Sequence, residues 1–329
     1  MYWKYVLTAG ILLGAELLYF RVAERLGIMD RPNARSSHTK PVLRGGGVIF
    51  TVGAWVWAAL FGAGCPWWFL SGLTLIAGIS LADDVRPLPD GLRLVVQFAA
   101  VLLLLRQLGL LEWRLWWIAA AGCVVSVGII NVYNFMDGVN GMTGGYSLAV
   151  LLPLLYLDGE LGFAPSSLPA VASLSAAVFC LFNFRPRNRA RCFAGDVGSV
   201  GMAYIVVYLL GSLVVETGEV SWLMLLSVYG VDAVLTIGHR ILLGERLGTA
   251  HRKHAYQLLA NELGWSHVRV SLLYAGVQLV VSAGLVLLPV DRYLYSAAVL
   301  VLLCAAYLLF MRRYYPLHEA YLASLKKNG

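Results

Sequence analysis

The chain has 329 residues, 60% of them hydrophobic and only 13% charged. Soluble domains run at about 45–50% apolar and about 25% charged, so this composition excludes an ordinary soluble domain and selects an integral membrane protein. The formal net charge of +7 does not point to nucleic acid, because the basic residues fall where membrane topology would place them.

Apolar runs near 3–22, 46–64, 66–82, 92–110, 114–133, 142–157, 164–184, 198–215, 220–241, 267–288 and 292–311 predict eleven membrane-spanning helices. The split between the second and third rests on Cys65-Pro66, and without it the count is ten. The runs are continuous rather than alternating, which favours helices over a barrel. The expected fold is an all-α, polytopic transmembrane helical bundle, a single domain over 1–329. The N-terminal run lacks a distinct basic leader and a small-residue cleavage site, so it reads as the first span rather than a signal peptide. Cys65, Cys123, Cys180, Cys192 and Cys304 form no C-x-x-C pair and read as small buried hydrophobes.

Lys and Arg fix the expected orientation. One set of alternate gaps holds Arg25, Arg31, Arg35, Lys40, Arg44, Arg86, Arg93, Arg185, Arg187, Arg189, Arg191, Arg240, Arg246, Arg252, Lys253 and Arg269. The other holds little beyond Lys4, Arg106, Arg114 and Arg292, with Glu112, Asp158, Glu160, Glu216, Glu219 and Asp291. Positive residues stay inside, so the N-terminus is expected outside and the C-terminus in the cytoplasm. That parity needs an odd number of spans and supports eleven.

Nearly all dense polar clusters lie in the basic gaps. In the first, residues 27–47, Pro32 and Pro41 break helix and Gly45-Gly46-Gly47 permits close backbone approach; His38, Lys40 and Arg44 could meet an anion there, or the glycines could serve as a hinge. In the second, the adjacent carboxylates Asp83 and Asp84 repel each other unless a divalent cation or a basic group stands opposite, and Arg93 opens the next span. In the third, Asn131 and Asn134 share a helical face, with Asp137 and Asn140 continuing the stripe before Gly141, Gly144 and Gly145. Amide and carboxylate oxygens suit Mg²⁺ or a nucleobase.

In the fourth, Asp196 stands between Gly195 and Gly198 after four arginines, open to a metal or phosphate. In the fifth, His251, Arg252, Lys253 and His254 form a cationic group better suited to phosphate than to zinc, for which no third and fourth ligands are evident. Two acids fall inside spans. Asp232 could face Arg240 or a basic loop, and Glu16 has no nameable partner. Carboxylates, asparagines, flexible glycine segments and cations gathered on one face suit phosphoryl transfer at a diphosphate. No G-x-S-x-G, Walker A or Rossmann fingerprint is present. Many spans suit a substrate whose lipid tail stays in the bilayer while its head group reacts.

These residues resemble a known family. DRPNARSSHTKPVLRGGG, LADDVRPL with Arg93, NVYNFMDGVNG, FNF…FAGDVGS and the Asp232 span, in that order, resemble the polyprenyl-phosphate N-acetylhexosamine-1-phosphate transferase superfamily, the WecA- and MraY-like glycosyltransferase family 4. The resemblance covers essentially the whole chain and implies ten or eleven spans with a cytoplasmic active site in the cell inner membrane. It implies that Asp83 and Asp84 activate the lipid phosphate and that Asn134 and Asp196 hold Mg²⁺, with Mn²⁺ as the alternative ion. Asn131 and Asp137 match neighbouring active-site positions, with Asp137 as covalent nucleophile the less favoured mechanism. Asn140 matches a position linked to the uracil ring. Arg93 stands where relatives often have Lys and meets the diphosphate. His251, Arg252 and His254 match the His-rich loop.

Pro87 replaces the third acid of the DDxxD found in many relatives, and H-R-K-H replaces the HHH of MraY-like enzymes. That disfavours the peptidoglycan precursor and favours the WbpL-type subgroup that starts O-antigen or other surface glycans. The resemblance implies transfer of an N-acetylhexosamine 1-phosphate (GlcNAc, FucNAc or QuiNAc type) from a UDP-sugar to undecaprenyl phosphate, in the bilayer, without nucleic acid. A homodimer stays open. The rival class is a transporter of an anionic lipid or sugar, which would place polar groups at the midplane and often show internal repeats; neither is clear in the sequence.

Overall fold

The computed structural model describes every residue except 1, 31, 33–38, 63, 247, 249–250 and 328–329, and no side chains from 322 onward. His38, Arg31 and Arg35 therefore lie outside the described residues. The described residues form twelve α-helices, in chain order α1 (Tyr2–Leu26), α2 (Val48–Phe61), α3 (Trp67–Val85), α4 (Asp90–Gln107), α5 (Trp116–Met136), α6 (Met142–Leu161), α7 (Leu168–Asn183), α8 (Gly195–Thr217), α9 (Ser227–Leu242), α10 (Ala255–Asn261), α11 (His267–Leu287) and α12 (Arg292–Lys327). Two short strands, β1 (Met29–Asp30) and β2 (Val42–Leu43), pair antiparallel.

A helix occupies most of each of the eleven predicted apolar runs. Among the described residues seven helical stretches are long and apolar enough to cross a membrane; α2 and α7 are shorter apolar helices. The chain is a multi-pass, helical membrane protein. The ninth run is not one smooth helix, because Val220–Leu226 is a 3-10 turn that leads into α9.

α8 is the hub. Its sequence is apolar on every face, and 83% of its most apolar stretch is buried, against 11% for Trp113–Met136 and 17% for Arg292–Tyr321. A helix hydrophobic all round belongs inside, and helices with one covered face belong at the lipid boundary. The main core runs from Leu12 to Leu285, and a smaller one joins Val231, Leu258, Tyr307, Met311 and Tyr315 across α9, α10 and α12.

Small residues let α2 and α8 touch backbone to backbone. A Cβ on Gly47 would collide with the Cα of Gly198 and stand 2.9 Å from the Ala194 carbonyl. Neither neighbour is a flexible side-chain tip, so the strain must spread into both helices. Gly47→Ala is expected to cost about 1–3 kcal/mol, read as a lowered thermal midpoint of the purified protein; an unchanged midpoint would show that the two helices can part freely.

Three expectations are corrected. Asp137 and Asn140 do not continue the Asn131–Asn134 stripe, because α5 ends at Met136 and Asp137 is its C-cap. The fifth gap is not all loop but contains α10, at whose start Gln257 Oε1 accepts from His254 N at 3.3 Å. Among the cysteines only Cys192 is fully buried; the other four are half-buried.

Candidate active site

Two segments about 150 residues apart in sequence build the floor of the site. Leu43 bridges Cys192 in parallel. Phe193 N donates to Leu43 O at 2.8 Å, Gly46 N to Phe193 O at 2.9 Å and Gly47 N to Ala194 O at 3.1 Å. This pairing carries Arg44 to the mouth of α8. Gly195 must be glycine there: its φ is +69°, and a Cβ would stand 2.5 Å from Asp84 Oδ2 and 2.7 Å from Gly45 N. From α1, the Tyr19 hydroxyl donates to Arg44 O at 2.6 Å. Glu16 now has a partner, since Cys192 Sγ donates to its Oε1 at 3.6 Å.

At this mouth the charges alternate. Asp83 Oδ2 meets Arg93 Nη1 at 3.0 Å, Arg93 Nη2 meets Asp196 Oδ2 at 2.7 Å, Asp196 Oδ1 meets Arg44 Nη2 at 3.2 Å, and Arg44 Nε meets Asp84 Oδ1 at 2.7 Å. Asp84 also accepts the backbone N–H groups of Asp196 and Val197, each at 3.0 Å. α8 has no side-chain cap of its own, so a carboxylate from α3 satisfies its orphan donors and faces the positive end of its dipole. Burial works against the Arg44 cation, but Asp84, Asp196 and Asp30 outweigh it and raise its pKa.

Above the ladder opens a cavity of about 510 Å³ lined by Arg93, Asn131, Asn134, Asp196, His251 and His254, and also by Asp90, Leu94, Gln97, Phe135, Gly248 and Gln257. The helical spacing of Asn131 and Asn134 turns both toward it. Asn131 Nδ2 donates to Val127 O at 2.8 Å and to Gln97 Oε1 at 3.4 Å. Asn134 Oδ1 accepts from Ser199 Oγ at 3.1 Å, one turn along α8 from Asp196. Burial, with His254 and Arg240 nearby, lowers the His251 pKa to about 4, so this ring is neutral at neutral pH.

Other expected site residues are placed elsewhere. Asn140 is buried with its amide donating to the Arg185 and Pro186 carbonyls at 2.9 and 3.1 Å, so it holds a loop and does not line the cavity. The H-R-K-H cluster divides: the two histidines face the cavity, while Arg252 stacks over Tyr321 and Lys253 pairs with Glu245. Lys40 is exposed away from the cavity. Asp232 does not face Arg240, which pairs with Glu245; it meets His254 of the basic loop instead.

Asp137 lies beside the ladder rather than in it. Its Oδ1 accepts from Thr143 Oγ1 at 2.5 Å. Burial, aided by the Asp196 and Asp84 charges and opposed by the Thr143 hydroxyl, pushes its pKa up to about 7. The folded protein therefore holds a proton that the unfolded chain loses near 3.8. The stabilisation is full below that lower value and disappears as pH rises to about 7. The thermal midpoint should fall between about pH 5 and about pH 8 by more in the wild type than in Asp137→Asn; parallel curves would refute the shift.

The donor set fits a hard divalent cation. Asp83 and Asp196 meet the two ends of one guanidinium, that of Arg93, and the repulsion between their charges is one that a proton or cation relieves. Two guanidinium groups face three carboxylates here, and Asn134 adds an amide oxygen. Among the described residues no group of three or more His, Cys, Asp or Glu forms a ready-made metal cage. Mg²⁺ does not require one, since it binds through one or two carboxylates with water and substrate phosphates.

Sequence reasoning missed Gln97, Gln257, Tyr19 and Asn183. Asn183 receives Gly141 N on Oδ1 at 2.7 Å and donates to Cys192 O at 2.9 Å, tying the third and fourth polar segments together. It lies inside the FNF segment, the one signal that could have found it.

Residues 66–214, which carry α3 to α8 and hence Asp83, Asp84, Arg93, Asn131, Asn134, Asp137 and Asp196, match the family described as Glycosyl transferase family 4. The chain is 27% identical over 309 residues to the decaprenyl-phosphate N-acetylglucosaminephosphotransferase of Mycobacterium leprae, covering 77% of this chain and 74% of that one. It is 27% identical over 277 residues to a probable undecaprenyl-phosphate N-acetylglucosaminyl 1-phosphate transferase of Bacillus subtilis, covering 77% and 75%. It is 23% identical over 316 residues to the undecaprenyl-phosphate alpha-N-acetylglucosaminyl 1-phosphate transferase of Escherichia coli K12, covering 88% and 84%. Residues 66–214 thus match glycosyl transferase family 4, and across most of its length the chain is similar to polyprenyl-phosphate N-acetylglucosamine 1-phosphate transferases.

Proposed function

We propose that the protein transfers N-acetylglucosamine 1-phosphate, or the 1-phosphate of a closely related N-acetylhexosamine, from its UDP form to undecaprenyl phosphate and releases UMP. The observation that carries this reading is the shared cavity. Asp196, Asn134 and Arg93 line it together with two histidines, the oxygen donors and cations that a nucleotide diphosphate needs. The names of the relatives support both the acceptor class and the sugar.

In this reading an oxygen of the lipid phosphate attacks the β-phosphorus, and the bond to the bridging oxygen breaks with its electron pair leaving on UMP. The anomeric C–O bond is untouched, so the sugar keeps its configuration. Asp196 and Asn134 would hold Mg²⁺, which supplies charge neutralisation at the diphosphate. Arg93 orients the phosphates through its planar fork. Asp83, which shares Arg93 with Asp196, positions the proton of the lipid phosphate. Asp84 has its oxygens taken by Arg44 and two backbone amides and anchors the site. The reacting face is cytoplasmic in the inner membrane, supported by the basic residues of the gaps that supply Arg44, Arg93 and the histidine loop. The product starts a surface polysaccharide such as O-antigen.

The test is UMP release from membranes containing the protein, given undecaprenyl phosphate, Mg²⁺ and a panel of UDP-N-acetylhexosamines. Release that needs both the lipid and one of the sugars is expected. No release with any sugar, or uptake of a labelled sugar without UMP formation, would sink the enzyme reading in favour of a transporter.

A further inference from the structure

Asp232 stood out in the sequence as a carboxylate inside an apolar helix, and the reaction above does not employ it. It is 3% exposed. Its Oδ1 accepts from Thr236 Oγ1 and from Ala255 N, both at 3.1 Å, and lies 3.2 Å from His254 Nδ1. Its Oδ2 accepts from the Tyr274 hydroxyl at 2.5 Å and from Tyr256 N at 3.4 Å. Five donors from α9, α10 and α11 therefore converge on one carboxylate, which satisfies the rule that a buried charge be paired and hydrogen-bonded.

An ionised carboxylate only accepts, so the His254 nitrogen facing it must carry hydrogen. That fixes both the tautomer and the tilt of the ring. His254 is 2% exposed, and Tyr256 stacks on it with centroids 5.7 Å apart, so the ring cannot easily turn away. Its other nitrogen, Nε2, is buried and has no hydrogen-bond partner among the described residues, and His254 lines the cavity together with Arg93 and Asp196. An orphaned buried nitrogen is costly unless a ligand completes it.

We propose that Asp232 is a positioning residue: it accepts Nδ1–H of the His254 ring, so that Nε2 faces the cavity and, protonated when the diphosphate of the incoming sugar nucleotide is bound, donates to it. The identity of that ligand rests on the function proposed above; the geometry of the dyad does not. Asp232 also receives two backbone amides at the start of α10, so it has a structural role as well, and the test must separate the two.

The first readout needs no substrate. In full-length protein carrying ¹⁵N-labelled histidine, with His254→Gln to assign the signal, His254 should be protonated on Nδ1. A neutral ring protonated only on Nε2 would overturn the proposal, whether or not any variant folds. In Asp232→Asn the side-chain volume and one acceptor oxygen remain, but the negative charge that supports a ring protonated on both nitrogens is gone, so the doubly protonated ring should no longer form when UDP-N-acetylglucosamine binds.

The second readout is kinetic. Asp232→Asn should raise KM for UDP-N-acetylglucosamine by about 10- to 100-fold, the usual cost of removing a carboxylate that orients a functional histidine. KM for undecaprenyl phosphate should stay unchanged. In a His254→Ala background the same substitution should change the UDP-sugar KM by less than about twofold, because its target is gone. Equal losses in both backgrounds would show that Asp232 only holds α10, and would overturn the proposal. If wild-type protein releases no UMP from any UDP-sugar, the functional reading fails while the tautomer result stands on its own.

Discussion

Asp196→Asn is expected to abolish UMP release while leaving the protein folded and inserted. The asparagine has the same shape and stays at the first turn of α8, so packing is conserved. What changes is charge and donor pattern. Asp196 is the only group that touches both arginines of the ladder, Arg44 at 3.2 Å and Arg93 at 2.7 Å among the described residues. An asparagine can accept from one of them and presents an amide to the other. Both arginine side chains are about one-third exposed, so water replaces part of what is lost and the stability cost should be about 1 kcal/mol. The catalytic cost is larger in kind, because the carboxylate is the strongest cation ligand in the proposed site and its partner Asn134 is neutral. Loss of such an electrostatic element should lower the rate by about three orders of magnitude. The measurement is UMP release per amount of monodisperse protein after gel filtration. Activity within about tenfold of the wild type would show that the reaction does not pass through this carboxylate and would remove the basis for placing Mg²⁺ there.

The helical character of the chain was legible because the bilayer dictates length and composition; among the described residues seven of the stretches are long and apolar enough to cross it. The pairing of Asn131 with Asn134 was legible for a similar reason, since three residues along a helix restore the same face. Gly138 and the left-handed Gly141 end that periodicity, and past them Asn140 turned to the loop carbonyls of Arg185 and Pro186 for reasons no spacing could reveal. The joining of Leu43–Gly47 with Cys192–Ala194 was invisible because an isolated backbone bridge has no side-chain pattern. It is nevertheless what brings Arg44 to Asp84 and Asp196. The division of H-R-K-H was equally hidden. Its residues leave regular helix just before α10, and their directions are set by what faces them: the cavity for His251 and His254, Tyr321 of α12 for Arg252, and Glu245 for Lys253. α10 itself has seven residues, too few to announce itself by periodicity, and its buried partner Asp232 lies 23 residues before Ala255.

The adjacent acids Asp83 and Asp84 should separate sharply when each is replaced by alanine. They look equivalent in sequence, but successive helical residues point in different directions, and these two meet different partners. The Asp84 side chain is fully enclosed and holds three donors: Arg44 Nε, Asp196 N and Val197 N. Asp84→Ala would leave two buried backbone amides at the start of the central helix without an acceptor and would remove the charge that favours its positive end. Each such amide costs about 1–3 kcal/mol, and Arg44 adds less because its side chain is 34% exposed. The expected destabilisation is about 3 kcal/mol. Asp83 serves Leu88 N at 2.7 Å and Arg93 at 3.0 Å, at the outer end of α3 where a neighbouring loop can relax. Asp83→Ala should cost about 1 kcal/mol and act mainly on turnover. Thermal midpoints of the two purified variants decide the matter, and equal losses would refute the division of labour. Coupling gives a sharper check. Arg44→Ala combined with Asp84→Ala should cost less than the sum of the two single changes, because the second removal no longer strands a charge. The amides of Asp196 and Val197 stay unpaired in both Asp84 backgrounds, so most of the loss should survive in the double variant. That residue of instability is the signature of a carboxylate whose main work is to hold the start of α8 in place.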